Sequence, residues 1–429
     1  MSLKPEGYVS RLIDPVIDLH MQAFGAVEIM GTMWSGKTWT SLAHAASVSE
    51  LGNSAIREIA EVSLDTALDG ELPRAIDEWQ EVPQVWDAVR TRIDDAGGRR
   101  GMYILTGSSS PAKEKVRHTG SGRISRLRMW PMSLAESGHS TKKVSLRGLF
   151  DNEFVQTETS SSLRDIAAVI CRGGWPAALD MEDVAASLIP NQYVDALVSA
   201  HDDDAPESEF DQLHFLRSLA RNIGSAVTVD TLAKDMGYTT DGRVKEAGRK
   251  RIRALLNYFR EKYVIDALFG WDAPIKSPQR LRVKPRYDFA DPSLAAALLG
   301  IGPSVLLENA QLFGQLFEQL CLRDLRVYTS CMKEAAPDSL RYYRDADGLE
   351  VDAIIQLRDG RWGAIEIKLG SNKVLEAQNA LLRLKNKISL NSAARNPEPS
   401  FMMILIGEGN GAYRMSTGIY VVPITELCV

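Results

Sequence analysis

The sequence predicts an α/β fold built on a parallel sheet, and three observations predict it. A glycine-rich loop, Gly31-Thr-Met-Trp-Ser-Gly36-Lys37-Thr38, follows a short strand pattern at 24–31 and opens a helical one at 37–49. Two further apolar segments end in polar residues, Ala75-Ile-Asp77-Glu78 and Met102-Tyr-Ile-Leu-Thr-Gly107. Towards the C-terminus, strand patterns at 341–344, 350–357 and 362–368 lead into a helical stretch at 372–388 and strands near 401–406 and 418–422. Strands interleaved with helices in this way pair in parallel, and ligand sites gather at their carboxyl ends.

A chain of 429 residues exceeds what one core supports, so several domains are expected. The net charge of -6 excludes a uniformly basic nucleic-acid coat and leaves room for local basic patches. Cys171, Cys321, Cys331 and Cys428 are far apart and form no CxxC pair, so they read as reduced thiols. No apolar run approaches the roughly 20 residues that a bilayer needs. The start, Met-Ser-Leu-Lys-Pro-Glu-Gly, lacks the apolar centre of a signal peptide. A cytoplasmic protein without membrane contact is the expectation.

The glycine-rich loop is the strongest chemical signal. Its glycines let backbone N–H groups close around phosphates, Lys37 adds positive charge at the β and γ oxygens, and Thr38 offers a hydroxyl to magnesium. Gly31, Ser35, Gly36, Lys37 and Thr38 are therefore the expected nucleotide-binding residues. Asp77 is placed to hold magnesium through water, and Glu78 to polarise an attacking water, although an acidic pair at a strand end is also ordinary solvated surface. Ser108, just past the next strand, is the candidate sensor of the γ-phosphate, or a turn residue. Arg123 is the candidate arginine for transition-state charge, in its own subunit or across to a neighbour, or else a surface residue. Trp34 lies inside the loop, where an indole can stack on adenine.

The middle of the chain carries the positive charge. An acidic stretch at 201–211 reads as a linker. Thr231-Leu-Ala-Lys-Asp-Met-Gly237 has the rhythm of the first helix and turn of a helix-turn-helix. Arg243, Lys245, Arg249, Lys250, Arg251 and Arg253 follow, nearly free of opposing acids. Arg280, Arg282, Lys284 and Arg286 then alternate along an expected hairpin. A basic helix with a basic wing suits nucleic-acid phosphates, and equally a solvated lid.

Near the C-terminus, Glu350-Val-Asp352 lies on one expected strand and Glu366-Ile-Lys368 on the next. Strand alternation puts Glu366 and Lys368 on one face, within reach of Asp352. Two carboxylates suit a hard divalent metal, and a lysine can activate water against a phosphodiester. The arrangement resembles the PD-(D/E)xK nuclease core, with Glu318, on the helix expected over 305–326, matching the acidic residue of its first helix. The strand carries Glu-Val-Asp where that core often has Pro-Asp. The six histidines all precede this region and do not cluster at metal-ligand spacings.

The loop, Ile76-Asp-Glu-Trp-Gln80, Ile104-Leu-Thr-Gly-Ser-Ser109, Ser121-Gly-Arg123, Pro131-Met-Ser-Leu-Ala-Glu136, Gly173-Gly-Trp-Pro176, Asp291-Pro-Ser-Leu-Ala295 and Tyr343-Arg-Asp345 follow one another. Together they resemble the AAA+-related ATPases that carry a C-terminal DUF4143 domain. The resemblance covers nearly the whole chain. It implies an AAA+-like P-loop ATPase domain with a helical lid at 1–205, a winged helix at 206–300 and a restriction-endonuclease-like α/β domain at 301–429. ATP and Mg2+ are the implied cofactors, with Mg2+ or Mn2+ on Glu318, Asp352 and Glu366, and Lys368 beside them. The resulting expectation is an ATPase coupled to a DNA-associated nuclease domain. The alternative is an ATP-dependent switch whose nuclease-like domain only docks a protein. Expected partners are DNA at the basic winged helix, further copies of the chain, and a protein at the C-terminal domain.

Overall fold

The computed structural model describes residues 3–109, 120–199, 205–225, 227–274 and 276–429. Contacts divide the chain into two compact units. One comprises Met1–Pro131 with Glu261–Val264, and the other Met132–Arg260 with Ile265–Val429. The boundaries expected at 205/206 and 300/301 both fall inside the second unit.

The first unit is a five-stranded parallel sheet of β1 (Ala26–Gly31), β2 (Ser47–Glu50), β3 (Arg74–Asp77), β4 (Tyr103–Gly107) and β5 (Ile124–Met129), in the order β2-β3-β4-β1-β5. β1 and β4 are interior strands of this sheet and are buried almost throughout. Two strands escaped the sequence reading. The helix expected over 37–49 stops at His44, and the residues after Ala46 form β2. Leu42-Ala-His-Ala-Ala is good helical sequence, but pairing of Ser47–Glu50 with Arg74–Asp77 overrides it. β5, Ile-Ser-Arg-Leu-Arg-Met, is an edge strand that keeps one arginine-bearing face wet. Trp79 and Trp86 fill the core beneath the sheet, ring centroids 4.9 Å apart.

The second unit opens with the short β6 (Val144–Ser145) and the helices Leu163–Arg172, Leu188–Ser199 and Glu209–Arg221. Residues 201–204 of the expected linker lie outside the described residues; its end caps the last of these helices through Ser208, whose side chain accepts from Asp211 N. Helix Val229–Asp235, the small hairpin β7 (Thr239–Thr240) with β8 (Arg243–Val244), and helix Glu246–Glu261 follow. β9 (Ile265–Leu268) then pairs antiparallel with β10 (Arg286–Phe289). The basic hairpin expected over 280–286 is therefore corrected. Gln279–Arg282 is one helical turn and only Arg286 lies on a strand, so these cations do not line a single wing.

The helix expected over 305–326 is two helices, Pro303–Glu308 and Ala310–Cys331. Asn309 breaks the run and caps the second helix by accepting from Leu312 N. The sheet that follows comprises β11 (Ala335–Arg344), β12 (Glu350–Leu357), β13 (Trp362–Lys368), β14 (Phe401–Ile406), β15 (Tyr413–Arg414) and β16 (Tyr420–Pro423), ordered β11-β12-β13-β14-β16-β15. β11, β12 and β13 form an antiparallel meander, while β13 and β14 run parallel. That parallel step needs a crossover, which helix Val374–Ser389 supplies, burying Val374, Ala377, Leu381, Leu384 and Ile388. Finally β17 (Leu427–Cys428) pairs in parallel with β6.

An ionic hub ties distant parts of this unit together. Arg323, Asp291 and Asp324 are at most 1% exposed. Arg323 donates to Asp291 at 2.7 Å and to Asp324 at 2.6 and 2.9 Å. The second oxygen of Asp324 accepts from Leu134 N at 3.0 Å, and Asp291 also accepts from Gly174 N at 3.0 Å. A Cβ on Gly174 would lie 2.1 Å from the Met132 carbonyl oxygen, so only glycine lets these two backbones touch. Three of the segments that carry the family resemblance, 131–136, 173–176 and 291–295, thus converge on one buried guanidinium.

Candidate functional site

The phosphate loop joins the end of β1 to helix Lys37–His44. Gly36 takes φ 97°, a left-handed conformation that glycine adopts without penalty. A Cβ on Gly31 would stand 2.1 Å from the Met129 carbonyl oxygen, so the loop starts hard against the end of β5. Trp34, at φ 60°, is 44% exposed on the loop.

Lys37 is buried and donates to the Thr32 carbonyl at 2.7 Å. Ser35 Oγ donates to the same carbonyl at 2.9 Å. Burial pulls the Lys37 ammonium down to about 8, against the attraction of Glu78 and Asp77.

The expected partners converge here. Thr38 Oγ1 donates to Asp77 Oδ1 at 2.9 Å, and Thr106 Oγ1 donates to the same oxygen. Burial nevertheless pushes the Asp77 carboxyl up, the two hydroxyls opposing it. A hydroxyl beside a carboxylate, both hard oxygen donors, suits magnesium. Glu78 sits in a left-handed conformation, φ 52°, at the end of β3, a strained placement that turns its side chain away from the strand course. Ser108 Oγ donates to Glu78 Oε2 at 3.1 Å, and Gln80 Nε2 donates to the same oxygen. Ser108 thus touches the candidate base, a contact the γ-phosphate assignment did not include.

Arg123 is not brought to this site. It precedes Ile124, which pairs with Ala26 at the start of β1, whereas the loop leaves β1 at Gly31 opposite Met129. Five residue steps along β1, from Ala26 to Gly31, separate the two ends, about 17 Å at roughly 3.3 Å per step. Arg123 pairs instead with Asp94.

Two residues that touch the loop or its carboxylate are absent from the sequence-based site. Thr106 stands in the same strand end as Ser108, to which the hydroxyl role there is assigned. Arg11, 5% exposed, donates through Nη1 to the Ser35 carbonyl at 2.7 Å and through Nη2 to the Trp130 carbonyl at 2.9 Å. No periodicity or motif links Arg11 to residues 24 and 119 positions away.

The middle cations are more neutralised than the sequence implied. Arg249 meets Asp230 at 2.7 Å and Glu246 at 3.3 Å, Arg253 meets Glu246 at 3.1 Å, and Arg251 meets Glu207 at 3.3 Å. Arg280 donates to the Asp272 carbonyl and to Gln356. The side chain of Arg282 lies outside the described residues. Arg243, Lys245, Lys250 and Lys284 are exposed.

At the C-terminal cluster, Lys368 Nζ lies 2.5 Å from Glu366 Oε2 and 3.4 Å from Asp352 Oδ2, and Ile367 N donates to Asp352 at 2.8 Å. These three side chains meet as alternation requires. Glu318 is held by a different group, the buried Arg286 of β10, which also approaches Glu350 at 3.7 Å. Burial, and then the Asp352 carboxylate, pushes both Glu318 and Glu366 well above the usual carboxylate range. Among the described residues no three His, Cys, Asp or Glu side chains gather as a metal-ligand group. Arg286 and Lys368 supply the positive charge beside Glu318, Asp352 and Glu366, the residues expected to hold the metal.

Residues 24–138 match the family described as an AAA domain. Residues 163–305 match a domain of unknown function, DUF8612, and residues 313–427 match another, DUF4143. No curated protein matches the chain. Among solved structures, a Walker-type ATPase of Pyrococcus abyssi is similar at 13% identity with a TM-score of 0.45, over 70% of this chain and 98% of that one. Residues 24–138 are thus similar to AAA domains and residues 313–427 to DUF4143 domains, each match spanning less than half of the chain.

Proposed function

We propose that the protein is a magnesium-dependent ATP hydrolase. The observation that carries this is the convergence of the Thr38 and Thr106 hydroxyls on one Asp77 carboxylate oxygen beside Lys37. Lys37 exchanges the Thr32 carbonyl for the β and γ oxygens of ATP. Thr38 and Asp77 would hold magnesium, which neutralises charge developing on the transferred phosphoryl group. Glu78, oriented by Ser108 and Gln80, takes the proton of the attacking water. Arg123 reaches no phosphate of its own loop, so any part it plays requires a neighbouring copy of the chain. ATP turnover by purified wild type and Glu78→Gln tests this. Loss of turnover with ATP binding retained is the expected result, and wild-type turnover in Glu78→Gln would overturn it.

We further propose that nucleotide turnover drives a switch whose nuclease-like C-terminal domain docks a partner and does not cut DNA. The Arg286–Glu318 pair favours this reading over the coupled nuclease, since it occupies an acid that metal-dependent cleavage would use. DNA contact, if retained, rests on Arg243, Lys245 and Lys250. Incubation of supercoiled DNA with Mg2+ or Mn2+, with and without ATP, should leave it intact. Cleavage that disappears in Lys368→Ala would restore the nuclease.

A further inference from the structure

We infer that Arg11 is a positioning residue for phosphate binding, holding the Ser35–Gly36 peptide so that the Gly36 N–H faces into the phosphate loop. The inference rests on the ATPase reading and adds a residue outside the glycine motif to its machinery.

The geometry starts from peptide planarity. In a trans peptide the C=O and N–H point in opposite directions. The Leu72–Pro73 bond is the cis peptide among the described residues, so Ser35–Gly36 is trans. Whatever fixes the Ser35 carbonyl therefore aims the Gly36 N–H the other way. Arg11 Nη1 fixes that carbonyl at 2.7 Å.

The need for such a hold follows from Gly36 itself. At φ 97° it has no Cβ to oppose rotation of the peptide before it. A flipped peptide would turn a carbonyl oxygen towards the phosphates, repelling the charge that the loop exists to bind. A charge-assisted hydrogen bond to the carbonyl favours the unflipped form.

Arg11 is itself immobilised. Its Nη2 donates to the Trp130 carbonyl, just past the end of β5. Its backbone N–H donates to Asp14 Oδ2 at 2.9 Å, and Asp14 accepts from Tyr8 at 2.7 Å. With that proton committed to Asp14, the Tyr8 oxygen accepts from Thr40 Oγ1 at 3.2 Å, on the helix that the loop opens. The segment before the first helix is thus fastened to the loop at one end and to its helix at the other, and Arg11 spans from the sheet to the loop.

The test is ATP and ADP binding by calorimetry to wild type, Arg11→Met and Arg11→Lys, with melting temperatures measured without nucleotide and kcat and KM for turnover. Arg11→Met should weaken ATP and ADP alike by about tenfold or more, since both carry the phosphates that the loop amides contact. KM should rise further than kcat falls. Arg11→Lys, which keeps a charged donor for one carbonyl but not both, should recover part of the loss. A folded Arg11→Met with wild-type affinities would overturn the inference. If Arg11→Met does not fold, Arg11→Lys decides: weakened affinity in a folded protein supports the role, and unchanged affinity overturns it. Absence of ATP binding by wild type would instead sink the ATPase reading, a result separable from all of these.

Discussion

Thr38 and Asp77 meet at 2.9 Å between the first turn of the helix after the phosphate loop and the end of β3. Thirty-nine residues of sequence separate them, and the sheet order places β3 two strands away from β1. That hydroxyl–carboxylate contact is where the nucleotide's metal is expected. Asp77→Asn keeps the shape but removes the charge. Turnover should fall on the order of a hundredfold, while ATP binding measured in EDTA stays near wild type. A steady-state phosphate-release assay beside calorimetry in EDTA separates the two.

Lys37 supplies a pH dependence with a defined sign. Its folded value near 8 lies below the ordinary lysine range because it is buried. Below about pH 8 it is charged and attracts phosphates; above, it is neutral and that attraction is lost. ATP affinity without magnesium should weaken by up to about tenfold per pH unit above 8, one proton being taken up on binding. Lys37→Arg, charged throughout, should bind with no such slope. Fluorescence titrations from pH 7 to 10 check both.

Gly31→Ala should damage the site from behind. The added methyl would overlap the Met129 carbonyl, so β1 and β5 must part or the loop must move. A stability loss of about 1–3 kcal/mol by urea denaturation is expected, with ATP affinity falling alongside. Unchanged stability would mean that the two strand ends are not packed as described.

The Arg286–Glu318 pair predicts an asymmetry between single and double substitutions. Arg286→Met leaves Glu318 buried without its partner and should cost about 3–5 kcal/mol of stability. Arg286→Met combined with Glu318→Leu should recover most of that. Chemical denaturation of the three proteins measures it, and additive losses would show that the pair is not coupled.

The parts of the fold that were legible in sequence are those with a local signature. The loop announced itself through Gly31, Gly36 and Lys37, β12 and β13 through apolar alternation around Asp352, Glu366 and Lys368, and β14 through its unbroken apolar run. What stayed hidden depends on pairing across distance. β2 looks like the tail of a helix until β3 lies beside it. Arg123 looked like a site residue until register put it at the wrong end of β5. Arg286 looked like one cation of a wing, and Glu318, 32 residues later, gave no sign of claiming it. Charge runs misled for the same reason: Arg251 finds its acid at Glu207, far outside any helical window.

The hub at Arg323 bears on how such a chain can change through time. Its guanidinium sits within the stretch matching DUF4143, yet Asp291, Gly174 and Leu134 lie outside it. Exchange of residues 313–427 for a foreign counterpart would bring in an arginine that keeps Asp324 but owes its other counter-charge, Asp291, to the host, or would strand the host's Asp291 without a partner. Recombination at that boundary is therefore penalised by a buried charge left alone. The segments at 131–136, 173–176 and 291–295 must travel with residues 313–427 as one heritable block, and lineages are expected to shuffle the block whole or not at all.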